Sequence, residues 1–450
     1  MTRVTARLAD FVTEADMASA QTALAVARLS LLDWITVGIA GCDEPVAQIC
    51  RDMVVAEGGA AQASLFGHCT KLPARAAALA NGTASHALDY DDTHFGHIGH
   101  PSVAVFPAAI AVAEREGASF TDFLEAALIG METSIRVGLW LGRSHYQTGF
   151  HQTATAGAFG ATAACARLMG LNAAQTAHAF GLTATRASGL KAQFGTMGKP
   201  FNAGMAAANG VESATLTGLG FQSNPTALED TSGFGDTHAG AGDLSAFDTL
   251  GTDWLFETVS HKFHACCHGL HATLEALACL PEIAPDTIAR IDITSHPRWM
   301  TVCHQVAPTT GLGAKFSYTM VTAMALLGYS TAKLDSFSDA VCADPKIEAL
   351  RAKVHVTADD AVSETGARVR VTLQDGTEAS AQFDLNTPMQ LEDRRSRVIE
   401  KSRALLGAVA AERVWTNIST GQPLSGLMNE MSSGQKTKRA GSHAQPKDWL

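Results

Sequence analysis

ARVRVTLQDGTEASAQFDL, residues 367–385, is the stretch on which the fold turns. Val369, Val371 and Leu373 alternate with polar neighbours, the two-residue period of a strand, and Asp375-Gly376 stands where a tight turn must reverse the chain. A hairpin is predicted there. Upstream, ARIDITSHP repeats the alternation through Ile291 and Ile293, and KVHVTAD does so through Val354 and Val356. Helical patterns fit about 315–327 and 336–341. The region after Pro281 therefore reads as α+β, with strands in the wrong order and spacing for a doubly wound sheet.

Before about residue 255 no strand alternation stands out. Apolar residues recur instead at helical spacing over 19–39, 75–87, 107–116 with Pro107 in the first turn, 120–137, 156–169, 173–190 and 205–219. Gly117, Gly170 and Gly220 stand where helices end. The helical pattern returns from about Glu392 to Val414. The expected fold is mainly α, a large all-helical domain with a smaller α+β region. Forty glycines, with few tyrosines, predict closely approaching helices.

A chain of 450 residues, 46% hydrophobic and 17% charged, has enough apolar residues for a large core in two domains. Its net charge of −11, with no Lys/Arg stripe, argues against nucleic acid. The apolar N-terminal run is broken by Arg28 and Asp33, so no membrane span is expected. MTRVTARLADFVTEADM carries acids early and lacks an apolar core, unlike a signal peptide, so a cytoplasmic location is expected. Nine scattered cysteines without a C-x-x-C pair predict neither a disulfide framework nor structural zinc.

The chemistry concentrates in SHALDYDDTHFGHIGHP, residues 85–101, which gathers Asp89, Asp91, Asp92, Thr93, His94, His97 and His100 between two apolar helices. So many ionisable groups are costly unless exposed or engaged. Histidine exchanges protons near neutral pH and a carboxylate fixes its tautomer, which points to acid–base catalysis; the bland alternative is a solvated loop in which Asp92 or Thr93 caps a helix. His94, His97 and His100, three apart, also raise a metal site, against which Gly96, Gly99 and Pro101 interrupt any regular helix. His151, ahead of an Ala/Gly-rich helix, could act where N–H groups hold a carboxylate. Lys199 is the single cation in FGTMGKPFNAGMAAANG, a candidate carboxylate clamp. HKFHACCHGLHATLEAL offers Lys262, His264, Cys266, Cys267, His268 and His271, among which a Cys–His nucleophile is conceivable; TSGFGDTHAGAGD reads as a flexible loop.

These segments, in this order along nearly the whole chain, resemble the MmgE/PrpD family, which includes 2-methylcitrate dehydratases, cis-aconitate decarboxylases and iminodisuccinate epimerases. HALDYDDTH followed by HPS resembles its best motif; GFHQT with AGAFGATAACARLMGL, and FGTMGKPFNAGMAAANG, resemble the second and third; KFHACCHGLHATLEAL and GAKFS resemble two weaker ones. The resemblance implies a helical domain over 1–256 completed by 395–432, an α+β lid over 257–394, a homodimer, and catalysis without metal or organic cofactor; the polar C-terminal composition reads as a flexible tail over 433–450. It carries catalytic roles onto Asp89, Thr93, His100, His151 and Lys199, with His100 one inserted residue further along than the pattern has it. Lys262, Thr153 and His271 follow as substrate-binding candidates.

The implied reaction is proton abstraction beside a carboxylate of a small di- or tricarboxylic acid. His151 and His100 form the proton-transfer pair, Asp89 and Thr93 orient substrate and histidine, and Lys199 clamps a carboxylate or supplies a proton. After GAKFS the dehydratases and decarboxylases usually place a tyrosine three residues past the serine, where this chain has Met320; Tyr318 would point elsewhere on a helix. In lacking that tyrosine the chain resembles the epimerase branch. A lyase is the expectation from the family as a whole, an epimerase the alternative.

Overall fold

The computed structural model describes residues 4–433, so the predicted tail lies, but for Ser433, outside the described residues. The chain forms two compact units, one of residues 4–261 with 406–433, the other of residues 262–405.

In the larger unit, α1 (Val4–Glu14), α2 (Gln21–Gly41) and α3 (Pro45–Glu57) precede a two-stranded hairpin of β1 (Ala63–Leu65) and β2 (His68–Leu72). Then come α4 (Ala74–His86), α5 (Pro101–Glu116), α6 (Phe120–Thr148), α7 (Gln152–Leu168), α8 (Ala173–Arg186) and α9 (Gly198–Gly218). The centre is α7, buried from Gln152 to Ala166 and packed by α5, α6 and α9. Small residues make this possible. A Cβ on Gly157 would stand 2.6 Å from Ala104 of α5, one on Gly160 2.5 Å from the Gly130 carbonyl of α6, and one on Gly210 of α9 2.5 Å from Ala161. The abundance of alanine and glycine is thus spent on bringing helix backbones together.

Three local expectations are corrected. The hairpin breaks the all-helical character: β1 is only three residues, all buried, so it shows no alternation to read, and Gly67 (φ +67°) makes its turn. Helix α5 begins at Pro101, leaving Pro107 inside it. Residues 231–243, exposed over much of their length, are anchored by a short helix at Phe234–Thr237, with buried Phe234 lying 4.1 Å from the His238 ring and 5.2 Å from Phe159, centroid to centroid.

Helix α2 lies in a segment, Met17–Gly41, long and apolar enough to cross a membrane, but 78% of its most apolar window is buried in the protein and it carries Arg28 and Asp33. It is a core helix. The C-terminal helices Ala408–Ser419 and Leu424–Ser433 complete this unit: Arg28 donates to the Ile418 carbonyl at 2.7 Å, and Gly67 N–H to the Met431 carbonyl at 2.8 Å.

The smaller unit holds a four-stranded sheet, β3 (Ile288–Ser295), β4 (Val354–Ala358), β5 (Gly366–Leu373) and β6 (Glu378–Asp384), in the order β4-β3-β5-β6. β3 pairs parallel with β4 and antiparallel with β5, and β5–β6 is the predicted hairpin, with Gly376 at φ +86°. Ile288, Ile291, Ile293, Val369 and Val371 face its core, covered by the helix His271–Ala278. The helix Leu391–Leu406 lies in this unit but for its last residue, whereas the expected boundary gives residues from 395 onward to the helical domain. That helix is so polar that its pattern marks a helix without marking which core it serves.

Candidate active site

The site is assembled where four helix ends of the larger unit meet. Helix α4 stops at His86, and Asp89 N–H closes a turn on the His86 carbonyl at 3.1 Å. Asp89 takes φ +50°, a conformation aspartate tolerates better than most residues. His100 is the N-cap of α5, His151 the N-cap of α7, and Lys199 lies in the first turn of α9.

Their side chains form one chain of contacts. Lys199 Nζ is 2.8 Å from Asp89 Oδ1, which is 3.5 Å from His100 Nε2. His100 Nδ1 approaches Asp91 Oδ2 at 2.7 Å, and Asp91 Oδ1 contacts His86 Nδ1 at 2.8 Å. Asp89 is 44% exposed whereas Asp91 is wholly buried, so the cluster grades from an open carboxylate to an enclosed one. Burial pushes the Asp91 carboxyl up, but the His100 and His86 charges and their hydrogen bonds outweigh it and hold the group well below the usual carboxylate range.

His151 stacks at 6.1 Å on His86, with its edge toward Phe194 at 4.9 Å, and its Nδ1 lies 3.3 Å from Asn202 Nδ2. Burial, then the Lys199, His86 and His100 charges, holds it well below the ordinary histidine range, Asp89 opposing. It is therefore a neutral imidazole at pH 7, able to take a proton. Lys199 lies 5.3 Å over the Phe194 ring. Thr153, expected to bind substrate, is buried, and its hydroxyl accepts the His100 backbone N–H at 3.1 Å, a positioning contact.

The remaining residues of the 85–101 cluster support this group. Asp92 accepts from Ser102 N and Oγ at 3.3 and 2.5 Å, capping α5; burial, helped by the Asp33 and Asp91 charges against the Ser102 bond, pushes it up to about 7. Thr93 is fixed through its backbone, donating to the Ser260 carbonyl at 2.9 Å and accepting at 2.7 Å. His94 accepts the His97 N–H on Nδ1 at 3.0 Å and meets Thr258 with Nε2 at 3.0 Å, while His97 packs on Gly138, where a Cβ would come 2.0 Å from its Nδ1. Arg136 and Glu132, both buried in α6, clamp the chain that supplies Thr258 and Ser260: Arg136 donates to the Ala246 and Asp253 carbonyls at 2.9 and 2.5 Å, and Glu132 accepts from Phe256 N at 3.0 Å.

The His94, His97 and His100 side chains are thus occupied separately rather than around one ion. Among the described residues, His86, Asp89, Asp91 and His100 do bring ligand atoms within 4.8 Å of one another. An ion there would have to displace the Lys199 ammonium from Asp89 and both imidazole contacts from Asp91.

Lys262 and His271 belong to the smaller unit, and both are buried. Burial above all, then the His268, His264 and Lys262 charges, keeps His271 well below its ordinary range; its Nε2 lies 3.3 Å from the Cys266 carbonyl, not from a thiol. Burial raises the Cys266 thiol, which argues against Cys266 as a nucleophile. In the same unit Glu275 meets Arg397 at 2.9 and 2.5 Å and His264 at 3.1 Å beside a cavity of about 450 Å³. Tyr318 is buried, its hydroxyl 2.8 Å from both Ser295 Oγ and the Gly269 carbonyl, and Met320 is buried too.

Sequence alone gives Asp91 a place in the cluster without a role, and gives His86 none. The available signal was the D-x-D spacing of Asp89 and Asp91, with His86 one turn before.

Comparison with known proteins gives this cluster a context. Residues 6–246 match the MmgE/PrpD N-terminal domain and residues 264–420 the MmgE/PrpD C-terminal domain. The chain belongs to the MmgE/PrpD family. This MmgE/PrpD chain is 28% identical over 409 residues to a cis-aconitate decarboxylase-like protein of Aspergillus oryzae, covering 83% of the chain and 84% of the relative. It is 26% identical over 392 residues to a cis-aconitate decarboxylase of Aspergillus terreus, covering 77% and 78%. It is 27% identical over 436 residues to a mitochondrial 2-methylcitrate dehydratase of Yarrowia lipolytica, covering 87% and 81%. These likenesses place the MmgE/PrpD chain among enzymes of lyase type.

Proposed function

We propose that this chain is a lyase that needs no metal or organic cofactor and acts on a small di- or tricarboxylic acid by removing a proton beside a carboxylate. The observation that carries the reading is the run Lys199–Asp89–His100, at 2.8 and 3.5 Å, beside the buried neutral His151. A carbanion or enolate formed beside a carboxylate needs a base at the C–H and a cation at the developing charge. His100 and His151 supply the base and its counterpart acid, Lys199 the cation, and Asp89 with Thr93 orients the substrate. Elimination of hydroxide then calls for proton delivery to the leaving oxygen, and loss of carbon dioxide for proton delivery to carbon. Lys262 and His271 stand as candidate substrate-binding groups of the smaller unit, and the homodimer that the resemblance implies and the cytoplasmic location expected from the N-terminal segment belong to the same reading.

A second reading, an epimerase inverting a carbon beside a carboxylate, is favoured by Met320 and Tyr318. The tyrosine hydroxyl is engaged with Ser295 and Gly269, and Met320 offers no proton. One experiment separates the two. The enzyme is incubated with cis-aconitate, 2-methylcitrate, citrate and iminodisuccinate in heavy water and followed by proton NMR. New alkene or released carbon dioxide supports the lyase; deuterium at a carbon with no group lost supports the epimerase; no turnover of any of the four sinks both.

A further inference from the structure

Asp91 is where the site holds more than the proposed reaction uses. Its two carboxylate oxygens are divided between two imidazoles, Oδ1 facing His86 Nδ1 at 2.8 Å and Oδ2 facing His100 Nδ1 at 2.7 Å. The His86 contact is an aligned hydrogen bond; that of His100 is as short but bent, an ion-pair geometry of the kind that tightens when a catalytic ring takes up charge. An ionised carboxylate can only accept, and a ring nitrogen 2.7 to 2.8 Å from it must carry a proton, since two lone pairs at that separation repel. Both rings therefore carry hydrogen on Nδ1, and whenever either ring is neutral its lone pair stands at Nε2. His100 Nε2 lies 3.5 Å from Asp89 Oδ1, and Asp89 is the carboxylate paired with Lys199. His86 Nε2 is buried, with no hydrogen-bond partner among the described residues, and its ring lies 4.7 Å from His100 and 6.1 Å from His151.

We propose that Asp91 is a positioning residue that fixes the Nδ1–H tautomer of His86 and His100 together, making His100 Nε2 the proton acceptor of the reaction and His86 a competitor that limits how strongly Asp91 supports it. This rests on the lyase or epimerase reading given above, in which His100 exchanges protons. When His100 Nε2 takes the substrate proton, the imidazolium has a carboxylate at each end, Asp91 at Nδ1–H and Asp89 at Nε2–H, so neither N–H of the charged ring is left without an acceptor. The charge on Asp91 that this requires is the state its surroundings favour, against its own burial. The groups that face the relay are His86, His100 and, through His100, Asp89 and Lys199; Asp92, with Asp33 behind it, lies on the buried side.

The two partners make opposite predictions. In Asp91→Asn the carboxylate charge is gone, so the acid limb of the kcat/KM profile moves to lower pH and kcat falls by about 100-fold or more with little change in KM. In His86→Gln the whole carboxylate turns to His100, and the acid limb moves to higher pH by about half a unit to one unit. A role confined to folding would move neither limb. The tautomer is read without any substrate by 15N NMR of histidine-labelled enzyme at pH 7.5, assigned with His86→Gln and His100→Asn. Nδ1–H with a bare Nε2 on both rings supports the proposal, even if no compound of the panel is turned over. An Nε2–H tautomer on His100, or limbs that stay in place in both variants while turnover persists, overturns it and leaves the reading of the reaction standing.

Discussion

Replacing Gly204 by alanine tests whether the close approach of α4 and α9 sets the site. A Cβ at Gly204 would stand 2.3 Å from the Leu79 carbonyl oxygen and 2.3 Å from Thr83 Oγ1, where ordinary contact begins at 3.4 Å. Thr83 Oγ1 is tied to that carbonyl at 2.8 Å, and Gly82 already lies against the Gly204 backbone, so no flexible side-chain end can yield. The helices must then separate by about 3.4 − 2.3 = 1.1 Å. Overpacking of this kind costs about 1–3 kcal/mol, offset by up to about 1 kcal/mol of helix propensity, and a net loss of about 1–2 kcal/mol lowers the melting temperature by about 2–8 °C. The same displacement would stretch the Lys199–Asp89 contact from 2.8 Å to about 3.9 Å, and a 1 Å misplacement costs up to about 100-fold in rate. Thermal unfolding and kcat/KM for the carboxylate turned over in the NMR panel are measured together, with Gly218→Ala as control. There the Cβ meets the flexible end of Met169 at 3.1 Å and Leu171 at an ordinary 3.5 Å, and the melting temperature should hold or rise. A Gly204→Ala enzyme that melts and turns over like the parent would refute the reasoning.

Arg136→Met should destabilise the protein by about 3–5 kcal/mol in urea unfolding, because it strands the buried Glu132 without its cation. Acid sensitivity should be traceable to His94, which burial lowers from 6.5 to about 4. Below pH 6.5 the unfolded state binds the proton that the folded state refuses, so stability is level above that pH and falls beneath it. The His94 share is about 1 kcal/mol between pH 6.5 and 5.5, and His94→Asn should flatten the unfolding midpoint over that interval by this amount. Gly376→Val, forcing a β-branched residue to φ +86° in the β5–β6 turn, should cost about 1–2 kcal/mol, read as loss of hydrogen-exchange protection in those strands.

Much of this molecule is legible in its sequence because its elements announce themselves locally. The β5–β6 hairpin has both an alternation and an Asp-Gly turn, and α2, α4 and α7 have apolar faces with glycine or proline at their ends. What escaped has no local sign. Strand β1, buried on all sides, shows no alternation, and the helix Leu391–Leu406 carries too few apolar residues to declare its partner. At the site, Asp89, His100, His151 and Lys199 come together as expected, since each belongs to a motif recognisable by its neighbours. Asp91 and His86 have a role only through their contacts with each other and His100, and Thr153 serves the backbone of His100, relations that exist only once α4, α5 and α7 are docked.

The return of the chain to the larger unit bears on how the protein comes off the ribosome. Strand β1 and helix α2 are covered in part by helices at 408–433, through contacts such as Gly67 to Met431 that span more than three-quarters of the sequence. Until those residues emerge from the exit tunnel, the early helices wait with apolar surface uncovered, while residues 262–405, whose contacts close within their own compact unit, need nothing from 406–433 to complete it. Synthesis therefore runs inside out for this architecture: the part made second can finish first, and the larger unit closes last.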